Sequence, residues 1–227
     1  GVKVKYLFNL FDFWGAIVTS RDNVKTLKDI EGKELAGARS TTNYQMAEFF
    51  LKKQGVDLGK LKVVNTAPPG LVSYAVADRA DAVQIWEPAY TLMLAKKPSI
   101  RTLDLGIAKT WKDFSGNTLP YLGVGAHADW ADANPGAVQK LYTTYKDAVE
   151  WVQKNPEEAA PMLAKGAPPE ELKAVAAMIK SNERLAMKLT KAADVRKDIE
   201  AVYKAGMEIN YLPSMPSAAS VYDKPLK

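Results

Sequence analysis

The run Asp81-Ala82-Val83-Gln84-Ile85-Trp86-Glu87-Pro88 constrains this chain more than any other. It starts as a buried strand and ends on an indole, a carboxylate and a proline. A strand that only filled a core would stop on a turn residue. This one carries an aromatic surface and a charge to its C-terminal end, where open α/β sheets bind their ligands. Pro88 disfavours the helical region for Glu87 and sets the start of a helix expected over Ala89 to Ala95.

Two strand–helix units precede it. Lys33 to Arg39 reads as a short strand with Leu35 and Ala36 apolar. Ser40-Thr41-Thr42-Asn43 follows, then a helix with Tyr44, Ala47 and Leu51 on one face and Gly55 as its stop. Leu61 to Thr66 reads as the next strand, and Pro68-Pro69-Gly70 leads into a short helix to about Ala77. This alternation predicts consecutive right-handed βαβ units with three parallel strands. Their C-terminal ends would gather Ser40, Thr41, Thr42, Asn65, Thr66, Trp86 and Glu87 into one polar rim. Two readings of the Ser40–Asn43 stretch stand side by side. A helix N-terminus offers unpaired N–H groups and a favourable dipole to an anion. Equally, one of these residues is simply the N-cap, although a cap needs only one.

At the front, Val4 to Leu10 and Ala16 to Thr19 read as strands, with Phe11, Phe13 and Trp14 clustered between them. Aromatics at such a crossing fit either a core or the lining of a cleft between lobes. Tyr121 to Trp130 is strand-like and ends in an acidic turn, and everything beyond it reads as helix. Asn134-Pro135 opens a helix with Val138, Leu141, Tyr142, Tyr145, Val149 and Val152 on one face. Asn155-Pro156 and Pro168-Pro169 open two more. A last helix carries Val195, Ile199, Val202 and Tyr203, with Gly206 as its stop. Tyr142, Tyr145, Trp111 and Trp151 read as core.

Composition removes whole classes of chemistry. The 227 residues contain no cysteine, which excludes disulfides and thiol catalysis, and a single histidine, His127. One histidine makes neither a multi-histidine metal site nor, without a placed carboxylate, a triad. No phosphate-loop, dinucleotide or nucleophile-elbow pattern is present. No catalytic residue, cofactor or metal site is therefore expected. The net charge of +5 is dispersed along helices beside acids, so nucleic acid is not the expected partner. No apolar run is long enough to span a membrane.

These segments, in this order, resemble the periplasmic solute-binding proteins of ABC importers. Leu27-Lys28-Asp29-Ile30-Glu31-Gly32-Lys33-Glu34-Leu35-Ala36 is similar to the family's "L-x-D-L-x-G-K" segment, and Ser40-Thr41-Thr42 to the "G-S-T" after it. Asp81-Ala82 with Trp86-Glu87-Pro88 matches "D-A-x-x-x-W-E-P" of the branch that carries sulfonates, taurine, nitrate and related anions. Asn134-Pro135, Ala148-Val149-Glu150-Trp151 and Asn155-Pro156 match that branch's C-terminal segments. Asp78 stands where the family has glycine, a minor departure. The resemblance implies an α/β fold of the type II periplasmic binding class: two lobes, a hinge and a helical C-terminal part. It places lobe 1 strand and hinge at 1–14, lobe 2 at 15–133, and helices packing on lobe 1 at 134–227. It also implies a small anionic ligand, an ABC permease as partner and an extracytoplasmic location. Ser40, Thr41 and Thr42 would hold the anionic head, with Asn65 on the same rim. Trp86 would pack the organic part, Glu87 would orient a polar group or hold the hinge, and Phe13 and Trp14 would line the cleft. Family members begin with a further βαβ segment before the part matched here. Its absence would leave apolar faces such as Val138, Leu141 and Val195 uncovered and favour self-association. The same fold also hosts thiamine-pyrimidine synthases, which use a cleft histidine and a cysteine-rich motif. That enzyme, or a sensory ligand-binding module, is the alternative to a transport receptor.

Overall fold

The computed structural model describes residues 2–227. The chain opens with β1 (Val4–Asp12), crosses through Phe13-Trp14-Gly15 and enters β2 (Ala16–Thr19). Then follow β3 (Glu34–Gly37), α1 (Thr42–Lys53), β4 (Lys62–Asn65), α2 (Pro68–Val76), β5 (Ala82–Ile85), α3 (Ala89–Lys96), β6 (Arg101–Leu103) and α4 (Ile107–Ser115). The second half holds β7 (Pro120–His127), α5 (Ala128–Ala133), α6 (Pro135–Lys154), α7 (Pro156–Leu163), α8 (Pro169–Ser181), β8 (Met187–Lys191) and α9 (Arg196–Glu208).

These strands form two sheets. The larger has five strands in the order β4-β3-β5-β2-β6. β4, β3 and β5 run parallel, as the alternating strand–helix pattern requires, and β2 joins antiparallel between β5 and β6. Every residue of β2 and β5 is buried, because helices cover both faces. One face packs Ile17, Leu35, Phe49, Phe50 and Trp111, with Ala201 and Ala205 of α9. The other packs Val18, Ala36, Leu71, Val83, Ile85 and Met93. The smaller sheet, β7-β1-β8, is antiparallel throughout.

Several expectations are corrected. Ala128–Ala133 is a helix where an acidic turn was read. β8 was read as helix: Met-Lys-Leu-Thr-Lys has little strand propensity, and pairing of Phe8, Asn9 and Phe11 with Lys191, Thr190 and Met187 imposes the extended state. β7 pairs with β1 on the small sheet, and α9 packs on the large-sheet core. The apolar faces expected to stand open are covered within this chain. Val138 is 0% and Val195 8% exposed, the former beneath Leu7, Phe8 and Tyr142. That removes the reason given for self-association. Tyr142 is core, whereas Trp151 and Tyr145 lie at the surface. α9 runs past Gly206 to Glu208.

Phe50 is fully buried in the large-sheet core among other rings, with the centroids of Phe13 at 5.6 Å, Phe49 at 5.3 Å and Trp111 at 6.4 Å. Phe50→Ala should lower the unfolding free energy by about 3–5 kcal/mol. Urea denaturation should show the midpoint falling with an unchanged slope.

Candidate ligand-binding site

A cavity of about 310 Å³ lies where the two sheets meet. The end of β1 gives it Phe11 and Asp12, the crossing segment Trp14, and the end of β5 Trp86, Glu87 and Pro88. Tyr121 and Leu122 of β7 form another wall. Leu163 and Met178 of α7 and α8, with Arg184 and Leu185 of the loop before β8, close it from the C-terminal side. The walls are mostly apolar, and their charges are few.

Glu87 is the anchor of those charges. Its side chain is 3% exposed. One oxygen accepts from the Thr91 backbone N–H at 3.0 Å, in the first turn of α3. The other accepts from the Thr91 hydroxyl at 2.9 Å and from Arg184 Nε at 2.7 Å. Pro88 lets Glu87 stand just outside α3, so its carboxylate can turn back onto the helix N-terminus, where negative charge is favoured. Glu87 is thus saturated by the protein and positions Arg184.

Arg184 is the charged cavity-lining side chain that the sequence reading did not single out. Its guanidinium lies 5.2 Å from the Tyr90 ring and 6.0 Å from the Trp14 ring, within cation–π range. Glu87 takes the Nε edge, and Nη2 reaches the Thr91 hydroxyl only at 3.5 Å. Among the described residues, Nη1 makes no hydrogen bond. The loop that presents it is clipped shut: Asn182, at φ 53° after α8, donates to Met187 O at 2.9 Å and accepts from Met187 N at 2.9 Å. Asn182 could have signalled this, being a helix-terminating asparagine that commonly adopts the left-handed conformation.

The residues expected at the site divide into three groups. Trp14, Trp86 and Glu87 line the cavity together. Phe13 is 5% exposed and belongs to the large-sheet core, stacked on Phe50 and edge-on to Tyr121. Ser40, Thr41, Thr42 and Asn65 cluster elsewhere, at the ends of β3 and β4. Thr41 caps α1, accepting from Tyr44 N at 3.2 Å and donating to Ala38 O at 2.8 Å, so its hydroxyl is already engaged. Asn65 Oδ1 accepts from Arg39 N at 3.0 Å. Ser40 and Thr42 are exposed. His127 ends β7 at the surface and is not among the residues lining the cavity.

Residues 1–159 match the family described as NMT1/THI5 like. A Brucella abortus protein, named only as a presumed binding protein, is 24% identical over 148 residues, 65% of this chain and 45% of that protein. A Brucella suis protein matches to the same extent. The chain thus spans about half the length of these relatives. Among solved structures, the alkanesulfonate-binding protein SsuA from Xanthomonas axonopodis pv. citri, bound to MOPS, superposes with a TM-score of 0.70 at 20% identity. That likeness covers 97% of this chain and 74% of the other. The periplasmic aliphatic sulphonate binding protein SsuA from Escherichia coli gives 0.70 at 18%, covering 95% and 71%. The periplasmic nitrate-binding protein NrtA from Synechocystis gives 0.66 at 17%, covering 96% and 63%. At such identities these likenesses bear on the fold, which is that of the periplasmic binding proteins.

Glu87→Gln keeps the shape of the side chain and removes the charge that faces Arg184. It should destabilise the chain by roughly 1.5–3 kcal/mol, the range for hydrogen bonds to charged groups. Thermal unfolding of the variant against the parent measures it.

Proposed function

The chain belongs to the NMT1/THI5-like family, and from that premise we propose that it is an extracytoplasmic solute-binding receptor. It captures a small anion in the cavity between its sheets and presents it to an ABC permease. The ligand class is an organic sulfonate, taurine, nitrate or a related anion, with an organic anion favoured over a bare one. The observation that carries this reading is Arg184. A guanidinium held on one edge by a buried carboxylate keeps the opposite edge for an anion, and bidentate donors suit sulfonate and carboxylate alike.

The walls supply the rest. Trp86 and Trp14 offer flat apolar surface, worth roughly 25 cal/mol per Å² that a ligand covers. A nitrate-sized ion would touch little of it. Low-dielectric walls also strengthen the guanidinium's attraction relative to open solvent. The solved periplasmic binding proteins of the same fold agree with a transport role. A synthase on this fold remains the alternative suggested by the family's description, but the one histidine, His127, is not among the cavity-lining residues.

Isothermal titration with propanesulfonate and with nitrate tests the proposal. Arg184→Gln should weaken propanesulfonate binding about ten- to hundredfold, the equivalent of a lost charged hydrogen bond. Trp86→Ala should cost propanesulfonate more affinity than nitrate. The Thr41→Ala, Thr42→Ala double variant decides between Arg184 and the α1 N-terminus as the anion's seat. A large loss there, with Arg184→Gln silent, would move the site to the Ser40–Thr42 rim.

A further inference from the structure

The protein treats the two carboxylates of the cavity differently. Glu87 is compensated by Arg184 and by α3. Asp12 forms no ion pair among the described residues. Its Oδ1 accepts one hydrogen bond, from Asn9 Nδ2 at 2.9 Å. Asn9 is 1% exposed, and its own oxygen is taken by the Tyr6 hydroxyl at 2.7 Å and the Tyr121 N–H at 3.2 Å. That fixed amide holds the Asp12 carboxylate in place. The backbone ties it to the arginine loop as well, since Asp12 N donates to Ala186 O at 2.9 Å. Burial raises the Asp12 carboxyl above the usual range, Asp198 adds to this, and Lys188 and Asn9 pull it back. The Asp12 carboxylate is half-buried and has no ion-pair partner among the described residues, and a cationic or hydrogen-bond-donating ligand group would offset its partial desolvation.

We propose that the cavity takes a bipolar organic molecule, with its anionic end on Arg184 and an ammonium or comparable donor on Asp12. The inference rests on the reading of Arg184 as the anion's seat. Trp14, Trp86 and Tyr121, which line the same cavity, offer ring faces that attract an ammonium as well as apolar surface. A metal ion is a poorer occupant of the Asp12 end. It needs several oxygen or nitrogen ligands, and the described residues form no group of three or more acidic, histidine or cysteine side chains. Asp12 therefore selects between anions that differ in whether they also carry an ammonium or comparable donor.

The test compares 3-aminopropanesulfonate with propanesulfonate by isothermal titration, on the parent protein and on Asp12→Asn. The parent should bind the amine about tenfold more tightly, as one hydrogen bond to a charged group provides. Asp12→Asn should erase that preference: the amine weakens, and propanesulfonate tightens because a repelling charge is gone. Binding of propanesulfonate to the variant also shows that it is folded. Equal binding of the two sulfonates to the parent, or a preference that survives Asp12→Asn, overturns the role of Asp12 and leaves the anion reading intact. Binding of neither sulfonate overturns both.

Discussion

A carboxylate as deeply buried as that of Glu87 must be compensated, or it costs several kcal/mol. The compensation comes from two elements far apart in the chain. The first turn of α3 supplies the Thr91 N–H and hydroxyl, and the loop after α8 supplies Arg184. The charge on β5's C-terminal end therefore dictates where that loop sits. A second ion pair, Lys96 with Glu171, ties the C-terminal end of α3 to the start of α8. α3 and α8 are thus pinned at both ends, and the loop between α8 and β8 has little freedom in where it presents its guanidinium. Losing one partner of the buried pair would disturb the cavity's shape as well as its charge.

The aromatic wall has its own support. The chain passes between the sheets at Phe13-Trp14-Gly15 and again near Leu119, and Phe13 N donates to Leu119 O at 2.8 Å. Trp14's carbonyl accepts from Asn43 Nδ2 at 3.2 Å, and Asn43 in turn accepts from Gln84 Nε2 at 2.6 Å. Both amides are fully buried. A Cβ on Gly15 would stand 3.1 Å from Asn43 Oδ1 and 3.2 Å from the Phe13 ring, so a side chain there would press on this network. The indole that faces the cavity is thereby referenced to α1 and β5 of the large sheet. The polar and aromatic walls thus have different anchors and meet where Arg184 lies against the Trp14 and Tyr90 rings.

How far the sequence predicts this depends on the range over which each signal acts. The parallel strands β3, β4 and β5 and their helices were legible because strand runs, the Thr41 cap and the Pro88 boundary are local signals. Trp86 and Glu87 were legible as candidates because they end a strand, where α/β ligands bind, and Trp14 because aromatics cluster at the strand crossing; the structure places all three on one cavity. β8 was not legible, since its strand state comes from pairing with β1, almost the whole chain away. Arg184 was hidden for the same reason: nothing near it in the chain announces that a carboxylate at position 87 waits for it. Phe13 and the Ser40–Thr42 run show the opposite case. Their residue types suit a ligand site, yet Phe13 fills a core and Thr41 spends its hydroxyl on a cap.

The choice of arginine at this position follows from the geometry. The side chain serves Glu87 and lies against the Tyr90 ring, and under the proposed function it would also keep donors for a ligand. A guanidinium does this because it is planar, has donors on separate edges and is weakly hydrated enough to lie against rings. A lysine ammonium is a strongly hydrated point charge. Placed against Glu87 it would direct its attraction there and keep less for a second anion. The apolar walls then set the energetic balance. They favour the removal of an organic body from water and leave the dehydration of a small, strongly hydrated ion uncompensated. Under the proposed function, selectivity at the anionic end would therefore come less from the arginine, whose fork suits many oxyanions, than from what surrounds it.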